Sequence, residues 1–387
     1  MGLAAIRPHL RPVVALAATL TCLTATSIAL HAQAASTGHP SSTVTLKTGK
    51  EIWEAGCASC HGVDGRGQAE NLRGFELPPT FPDFSDCPTS TPESNLQWRS
   101  VITNGGHARG FSTIMPSFRD LLTQEQIGMV ISHIRSLCNQ TSWPLGDLNL
   151  PRPMVTEKAF PENETVIAGS VNAQGRGELG STVIYEHRIG SRAMMEAIVP
   201  YAFSDSTGTW GAAFGDLALG YKRTMAQSAK HGSIFSLGGE LIAPTGNRQV
   251  GTGGDSTVFE GYAAYGQILP RSSFVQLHAG LEVPARPERM ARAAYLRSAI
   301  GKTFATDSGL GRRWTPMLEV IGDREFESGL KTNWDVIPEL QIPVNRRMHL
   351  LASVGYRIPV NNTDGRPRQV LFYGIWDWMD GGLRQGW

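Results

Sequence analysis

The sequence carries almost no excess of charge of either sign. Its 35 Lys and Arg residues stand against 34 Asp and Glu residues. The basic residues do not form a stripe with interleaved aromatic residues. Proteins that bind nucleic acid through its phosphates typically have such a stripe. The charge pattern therefore argues against nucleic acid as a partner.

Long apolar runs are also scarce. One covers residues 13–30; it follows Arg7 and Arg11 and precedes the small-residue stretch Ala32-Gln33-Ala34. This pattern predicts a secretory signal peptide over residues 1–34, which is removed on export. A membrane anchor is the alternative, disfavoured because Thr residues dilute the run and no basic residues directly follow it. Any later membrane crossing would have to use strands of a closed barrel.

Catalytic motifs are lacking as well. The Gly-rich stretch 251–255 is not followed by Lys-Ser or Lys-Thr, so it predicts a β-turn rather than a phosphate cradle. Scattered Ser, His and Asp residues form neither a nucleophile elbow nor a metalloprotease helix. The sequence thus predicts no catalytic residue.

Cysteine is rare, and the few cysteines present are informative. Of five, Cys22 lies in the predicted signal peptide, which leaves four in the exported chain. Cys57 and Cys60 stand in the motif CASCH, in which each thiol can add to a haem vinyl group while the imidazole of His61 faces the iron. A thioredoxin-like redox pair or half of a zinc site are the alternatives. Neither normally requires the adjacent His, and no second Cys pair at zinc spacing follows.

A second axial ligand of the haem iron should come from a Met or a His in the same region. Met115 lies in a loop-like stretch, where the following Pro116 would stiffen the backbone that holds the sulfur. Met129 and His133 instead lie on a predicted helix that begins with the capping box Thr123-x-x-Gln126. Helical Met and His more often pack or face solvent, so we expect Met115 to be the ligand, with His107 as the second candidate.

Residues 47–139 resemble a class I c-type cytochrome. The resemblance rests on a helix through Ile52 and Trp53 that leads into CASCHG, on the Met-Pro-Ser-Phe motif at residues 115–118, and on a helix after Leu122-Thr123. It implies an all-α electron-transfer domain over residues 45–140. It also implies one covalently attached haem c, bound through Cys57 and Cys60, with His61 and Met115 as the axial ligands of the iron.

Cys87 and Cys138 are additions to this pattern. Cys138 ends the last predicted helix, and Cys87 opens the segment before the helix that contains Trp98. In an exported protein a disulfide between them is the leading interpretation, and two free buried thiols are the alternative.

The composition and the periodicity of the sequence change after the helical region. Residues 141–163 are rich in proline and without periodicity, as in a stiff linker. Residues 164–387 alternate between apolar and polar in short runs separated by turn residues, which predicts an all-β domain. The runs, roughly twelve with the weaker 165–171, have the length of a tilted strand that crosses a bilayer: 165–171, 181–188, 193–203, 216–223, 233–243, 258–269, 273–283, 294–304, 314–321, 335–342, 349–358 and 370–378.

The pattern at residues 215–222 (GDLALGYK) resembles outer-membrane barrels that act as transporters in aromatic-degradation pathways. The expected fold is therefore multidomain: an all-α class I cytochrome c domain followed by an antiparallel outer-membrane β-barrel. A soluble periplasmic β-sandwich is the alternative, since alternation alone does not distinguish the two.

Three functions are compatible with this organisation. The first is an electron carrier at the cell envelope, anchored by the barrel, with the haem in the periplasm or in the lumen and with periplasmic or extracellular redox partners. Its domain order resembles that of fused cytochrome–porin iron oxidases, although no residue-level match supports iron oxidation. The second is a channel or transporter with a tethered cytochrome. The third is a soluble periplasmic redox protein with a β recognition domain.

Overall fold

The computed structural model describes residues 46–72, 74–175, 177–205, 210–248, 252–305 and 313–387. The predicted signal peptide lies outside the described residues. Within them, helices occupy the N-terminal part and strands the rest, in the order that the sequence predicts. None of the helices in the described ranges is long and apolar enough to span a membrane.

The helical domain, residues 46–140, is built on three helices that begin with capping boxes. Thr48 and Glu51, Ser94 and Gln97, and Thr123 and Gln126 each satisfy amide groups at a helix start, and the last of these pairs was predicted from the sequence. The α-helices are α1 Gly49–Gly56, α2 Ala58–His61, α3 Cys87–Ser90, α4 Asn95–Asn104 and α5 Gln124–Leu137, with 3-10 turns at Glu70–Leu72, Gly106–Arg109 and Gly146–Leu148.

One apolar core holds these helices together. Trp53 on α1 and Ile127 on α5 are almost fully buried in it. The helices α1 and α5 cross so closely that a Cβ atom on Gly49 would overlap the carbonyl group of Met129. Cys87 and Cys138 form a disulfide that ties α3 to the end of α5, with their Cα atoms 5.4 Å apart.

The strands form a closed antiparallel barrel of twelve strands. Neighbours in sequence pair throughout, and the ring closes where Glu164 of the first strand pairs with Asp377 of the last. Closure shows that the sandwich alternative is wrong. Every predicted run overlaps a strand of the barrel, and most ends agree within two residues. The strands are β1 Glu164–Asn172, β2 Glu178–Ile189, β3 Ala193–Asp205, β4 Trp210–Phe214, β5 Leu217–Ser228, β6 Ser233–Ala243, β7 Val258–Leu269, β8 Ser273–Pro284, β9 Ala293–Lys302, β10 Phe304–Ala305, β11 Arg313–Glu325, β12 Asn333–Pro343, β13 Leu350–Pro359 and β14 Gln369–Asp377. Of these, β4 and β10 are short additions that extend β3 and β11 outside the ring.

The two ends of the barrel differ. At the end where β1 begins and β14 finishes, most connections are tight turns, as at 190–192, 229–232 and 270–272. The connections at the opposite end are mostly longer, as at 244–257 and 285–292. We call these the short-turn end and the long-loop end.

The outer face of the barrel is apolar and the inner face is polar. On β5, Leu219 and Tyr221 are exposed on the outside, while the next residue, Lys222, is only 1% exposed on the inside. On β8, Gln276 and His278 point inward, as their alternation with Leu277 predicts. Exposed aromatic side chains gather towards both ends: Tyr185, Phe304 and Trp314 at the short-turn end, and Phe203, Trp210, Phe214, Phe259 and Trp334 at the long-loop end. This is the surface of a barrel that spans a membrane.

The segment that the sequence predicts to be a linker lies inside the barrel. Residues 146–163, the lumen segment, descend from the short-turn end, turn in the middle of the lumen and return to the start of β1. Leu148 packs against Ile234 and Ala264 of the wall, and Leu150 packs against Phe274. Proline suits this position because it carries no amide hydrogen that would need an acceptor.

Two charged residues of the barrel wall, Glu319 and Lys222, hold the turn of the lumen segment, and we call them the latch. Glu319 of β11 accepts hydrogen bonds from the amides of Met154 at 2.7 Å, Val155 at 3.1 Å and Thr156 at 2.8 Å. The next residue, Glu157, pairs with Lys222 of β5, which lies nearly across the barrel. The segment therefore bridges opposite walls of the lumen.

Arg152 fixes the same segment to a third part of the wall. Its Nη1 lies 2.8 Å from Glu164 and 2.8 Å from Glu186. Removal of one partner of a buried ion pair costs about 3–5 kcal/mol, because the other charge is left buried and unpaired. Loss of an exposed surface pair typically costs at most about 1 kcal/mol.

The disulfide is expected to stabilise the helical domain substantially. It closes a loop with a sequence separation of 51 residues, for which the loop-closure model gives about 4 kcal/mol. The double variant Cys87→Ser/Cys138→Ser should lose helical structure at a lower urea concentration than wild type, and dithiothreitol should shift wild type but not the variant. Equal midpoints for wild type and variant would contradict a stabilising bridge.

The latch is expected to keep the lumen closed. Glu319→Ala leaves three amide groups without their acceptor, at about 1–3 kcal/mol each. Wild type in a planar bilayer should therefore show almost no conductance, whereas Glu319→Ala should show frequent openings. Glu325→Ala removes an exposed carboxylate from the same strand and should behave as wild type. Sustained porin-like conductance of wild type would show that the segment does not block the lumen.

Candidate haem site

The CASCH motif consists of Cys57, which caps the end of α1, and the four residues of α2. Cys57 ends α1, and its carbonyl oxygen accepts hydrogen bonds from the amides of Cys60 at 3.1 Å and His61 at 2.9 Å. Gly62 follows with φ of +73°, a conformation that favours glycine, and turns the chain away from the motif. Both thiols are free and half-buried. Local backbone geometry thus presents two sulfurs and an imidazole close together.

Aromatic rings surround His61. Phe81 stacks on the imidazole with the ring centroids 4.9 Å apart, and the rings of Phe84 and Trp53 lie at 5.4 and 5.7 Å. Trp53 also donates a hydrogen bond from Nε1 to the carbonyl of Gly62 at 3.0 Å, which fixes the end of the motif. Burial lowers the pKa of His61 to about 4, so the ring is neutral at neutral pH and keeps a lone pair for a metal ion.

The thiol of Cys57 behaves differently from that of a disulfide-exchanging pair. Burial, with a smaller contribution from Cys60, raises the pKa of the Cys57 thiol to about 11. Redox-active pairs need an attacking thiol with a lowered pKa. The environment of Cys57 therefore does not match the thioredoxin-like alternative.

The candidates for the second iron ligand occupy distinct environments. Met115 is half-buried and packs against the core cluster that Cys57 also contacts, whereas His107 is exposed. Met129 contacts that cluster from α5, and the ring of His133 lies 5.8 Å from Trp53. The structure thus brings Met115 and Cys57 onto one core.

This donor set fits a covalently attached haem. Nδ1 of His61 is buried and has no hydrogen-bond partner among the described residues, a costly state for a polar atom that a bound group would change. The two thiols next to it are unoxidised, and a thioether packs on the same core. Within the described ranges, no three His, Cys, Asp or Glu side chains converge as a metal site built from protein ligands alone would require.

The helical domain packs directly on the short-turn end of the barrel. Arg109, only 2% exposed, donates from Nη2 to the carbonyl of Arg347 at 2.8 Å, and Arg347 donates from Nη2 to the carbonyl of Gly110 at 2.8 Å. Near the start of the lumen segment, the amide of Gly146 donates to the carbonyl of Thr91 at 2.7 Å. The domain therefore sits at the barrel mouth and not within the lumen.

Sequence reasoning missed Arg109 and Arg347. Both lie in turn regions, and the two are far apart in the sequence. Arg109 stands in the Gly-rich stretch 105–110, and this was the one local sign that the backbone there is tightly folded.

Comparisons with known proteins agree with this division. Residues 44–134 match the family model described as cytochrome c oxidase, cbb3-type, subunit III. No curated protein is significantly similar to the chain.

The similar solved structures are barrels. The KdgM porin is 9% identical, with a TM-score of 0.38, and the match covers 55% of this chain and 98% of the porin. An outer membrane channel from Pseudomonas putida F1 is 14% identical, with a TM-score of 0.37 and coverage of 59% and 99%. LpxR from Salmonella typhimurium is 10% identical, with a TM-score of 0.36 and coverage of 55% and 98%.

The family match and the described geometry together define two parts of the chain. The N-terminal part is a c-type cytochrome domain, and it is fused to a closed twelve-stranded β-barrel of the outer-membrane type.

Proposed function

We propose that the protein is a one-electron carrier of the cell envelope, in which a single haem c is held at the periplasmic mouth of an outer-membrane barrel. The thiols of Cys57 and Cys60 would hold the haem covalently, each by addition across one vinyl group, with the sulfur on one vinyl carbon and the thiol hydrogen on the other. The haem iron supplies reversible one-electron exchange between its ferric and ferrous states.

The observation that carries this proposal is the position of His61. It combines a neutral imidazole with a buried, unpartnered nitrogen, and it directly follows two free thiols within a cytochrome-family domain. His61, through its imidazole, and Met115, through its thioether, would hold the haem iron. A thioether ligand raises the reduction potential relative to a second imidazole.

The residues of the domain provide the environment that such a carrier needs. Phe81, Phe84 and Trp53 shield part of the His61 ring from water, which would limit the solvent reorganisation that accompanies a change of charge. Electron transfer through the haem would take one electron from the donor and pass it to the acceptor, and it would make or break no bond in the polypeptide. No catalytic residue is required, so we regard the chain as a carrier and not an enzyme.

The asymmetry of the barrel supports a periplasmic position for the cytochrome domain. Outer-membrane barrels have short turns on the periplasmic side and longer loops on the outside. The cytochrome domain packs against the short-turn end through Arg109 and Arg347. Its redox partners are therefore periplasmic proteins in the first instance.

The lumen segment favours an anchor over an open channel. Glu319 and Lys222 hold the segment from opposite walls at the middle of the barrel. A conduit for solutes would need this latch to release.

Haem attachment is tested by the two cysteines of the motif. Cells that express the full chain should yield an outer-membrane haem-stained band on a denaturing gel, and that band should migrate differently when the sample is not boiled. The variant Cys57→Ser/Cys60→Ser should lose the stain, whereas Cys87→Ser/Cys138→Ser should keep it. A haem band confined to the soluble periplasm would contradict the membrane anchor, and no stain in wild type would overturn the proposal.

Orientation is tested by labelling introduced thiols in intact cells. Leu330→Cys lies in the long-loop connection 326–332 and should react with a membrane-impermeant maleimide. Leu121→Cys, on a side chain that is 74% exposed in the cytochrome domain, should react only after the outer membrane is permeabilised. Labelling of Leu121→Cys in intact cells would place the cytochrome domain on the outside.

A further inference from the structure

The loop that carries Met115 is closed on itself. Residues 105–115, the Met115 loop, begin after α4, and the amide of Gly106 donates to the carbonyl of Met115 at 3.0 Å. The amide of Phe111 donates to the carbonyl of Gly106 at 2.9 Å. Gly110 has φ of +67°, and a Cβ atom on Gly106 would overlap the carbonyl oxygen of Ser112. A loop this tight passes a displacement at Gly110 on to Met115.

The barrel contacts the Met115 loop at Gly110 and its neighbours. Besides the reciprocal bonds between Arg109, Gly110 and Arg347, the guanidinium of Arg347 lies 4.7 Å from the ring centroid of Phe111. Arg347 is 6% exposed, so water does not compete strongly for these bonds. The contact belongs to the turn 344–349 between β12 and β13.

The C-terminal tail, residues 378–387, contacts Arg347 from the other side. Nη1 of Arg347 donates to Oε1 of Gln385 at 2.8 Å and reaches the carbonyl of Asp380 at 3.4 Å. The amide of Arg346 donates to the carbonyl of Gly386 at 2.7 Å. Gly386 also packs so closely on Gly110 that a Cβ atom on Gly110 would overlap it. Turn, tail and Met115 loop therefore form one clasp.

We propose that Arg347 of the barrel is a positioning residue for Met115, so that docking on the barrel sets the ligation of the haem in the cytochrome domain. This inference rests on the proposed function, because it takes Met115 as the second iron ligand. One planar guanidinium serves both sides of the clasp, with Nη2 on the Met115 loop and Nη1 on the tail, and a lysine cannot reproduce this geometry.

The test compares Arg347→Ala and Arg347→Lys with Arg346→Ala in the full-length, haem-loaded chain in detergent. Arg346 is the neighbouring residue, and its exposed side chain makes it a matched control. Three readouts report on Met115: the absorption band of ferric iron bound to a thioether, the midpoint potential, and the rate at which the ferrous protein binds carbon monoxide, which must displace the sulfur.

Loss of one charge-assisted hydrogen bond should raise the detached fraction of Met115, and with it the carbon monoxide binding rate, roughly tenfold or more. Both Arg347 variants should show this rise, with a weaker thioether band and a lower potential, while Arg346→Ala matches wild type. The heat-dependent gel shift confirms that each variant has a folded barrel. Arg347 variants with wild-type readouts in a folded barrel would overturn the inference.

Met115→Ala separates this inference from the proposed function. If its band, potential and carbon monoxide binding equal those of wild type, Met115 is not the ligand, and the ligand assignment in the proposed function fails while haem attachment stands. If Met115→Ala changes all three readouts while Arg347→Ala and Arg347→Lys do not, only the positioning role of Arg347 is lost.

Discussion

The carboxylate of Glu319 accepts three consecutive amide protons from the lumen segment, and the position of the cytochrome domain depends on this contact. Backbone that enters a barrel leaves water behind, and each unpaired amide there costs about 1–3 kcal/mol. Glu319 removes that cost at the turn, and the pairing of Glu157 with Lys222 anchors the next residue to the far wall. A segment held in this way cannot act as a loose tether, so the domain that precedes it is confined to the barrel mouth.

The same constraint links the two parts of the chain functionally. A cytochrome on a flexible linker would reach many partners in many orientations. Here the short-turn end presents Arg347 and the C-terminal tail to the Met115 loop, while the opposite side of the loop contacts the core that carries Cys57. The barrel is thus part of the frame around the candidate haem site, and the connection itself occupies its lumen.

Much of this architecture was predictable from the sequence, for physical reasons that differ between its parts. The twelve strands were found because their alternation of apolar and polar residues has a period of two, as between Leu219 and Lys222 or Leu277 and His278. The start of α5 was found because Thr123 and Gln126 form a capping box. The lumen segment was not found, since its proline-rich sequence has no periodicity and its partner Glu319 lies far along the chain. Arg347 was not predicted either, because an arginine in a turn gives no sign of the distant loop that it binds.

A distance measurement between the haem iron and two spin labels would test this arrangement most directly. One label is placed at Arg271→Cys in the turn 270–272 and the other at Leu330→Cys in the opposite connection, each in the full-length protein in lipid. A cytochrome domain docked on the short-turn end gives a short, narrow distance distribution from the label at residue 271 and a clearly longer one from the label at residue 330. Equal distances, or a broad distribution from residue 271, would show that the domain is not held at that mouth.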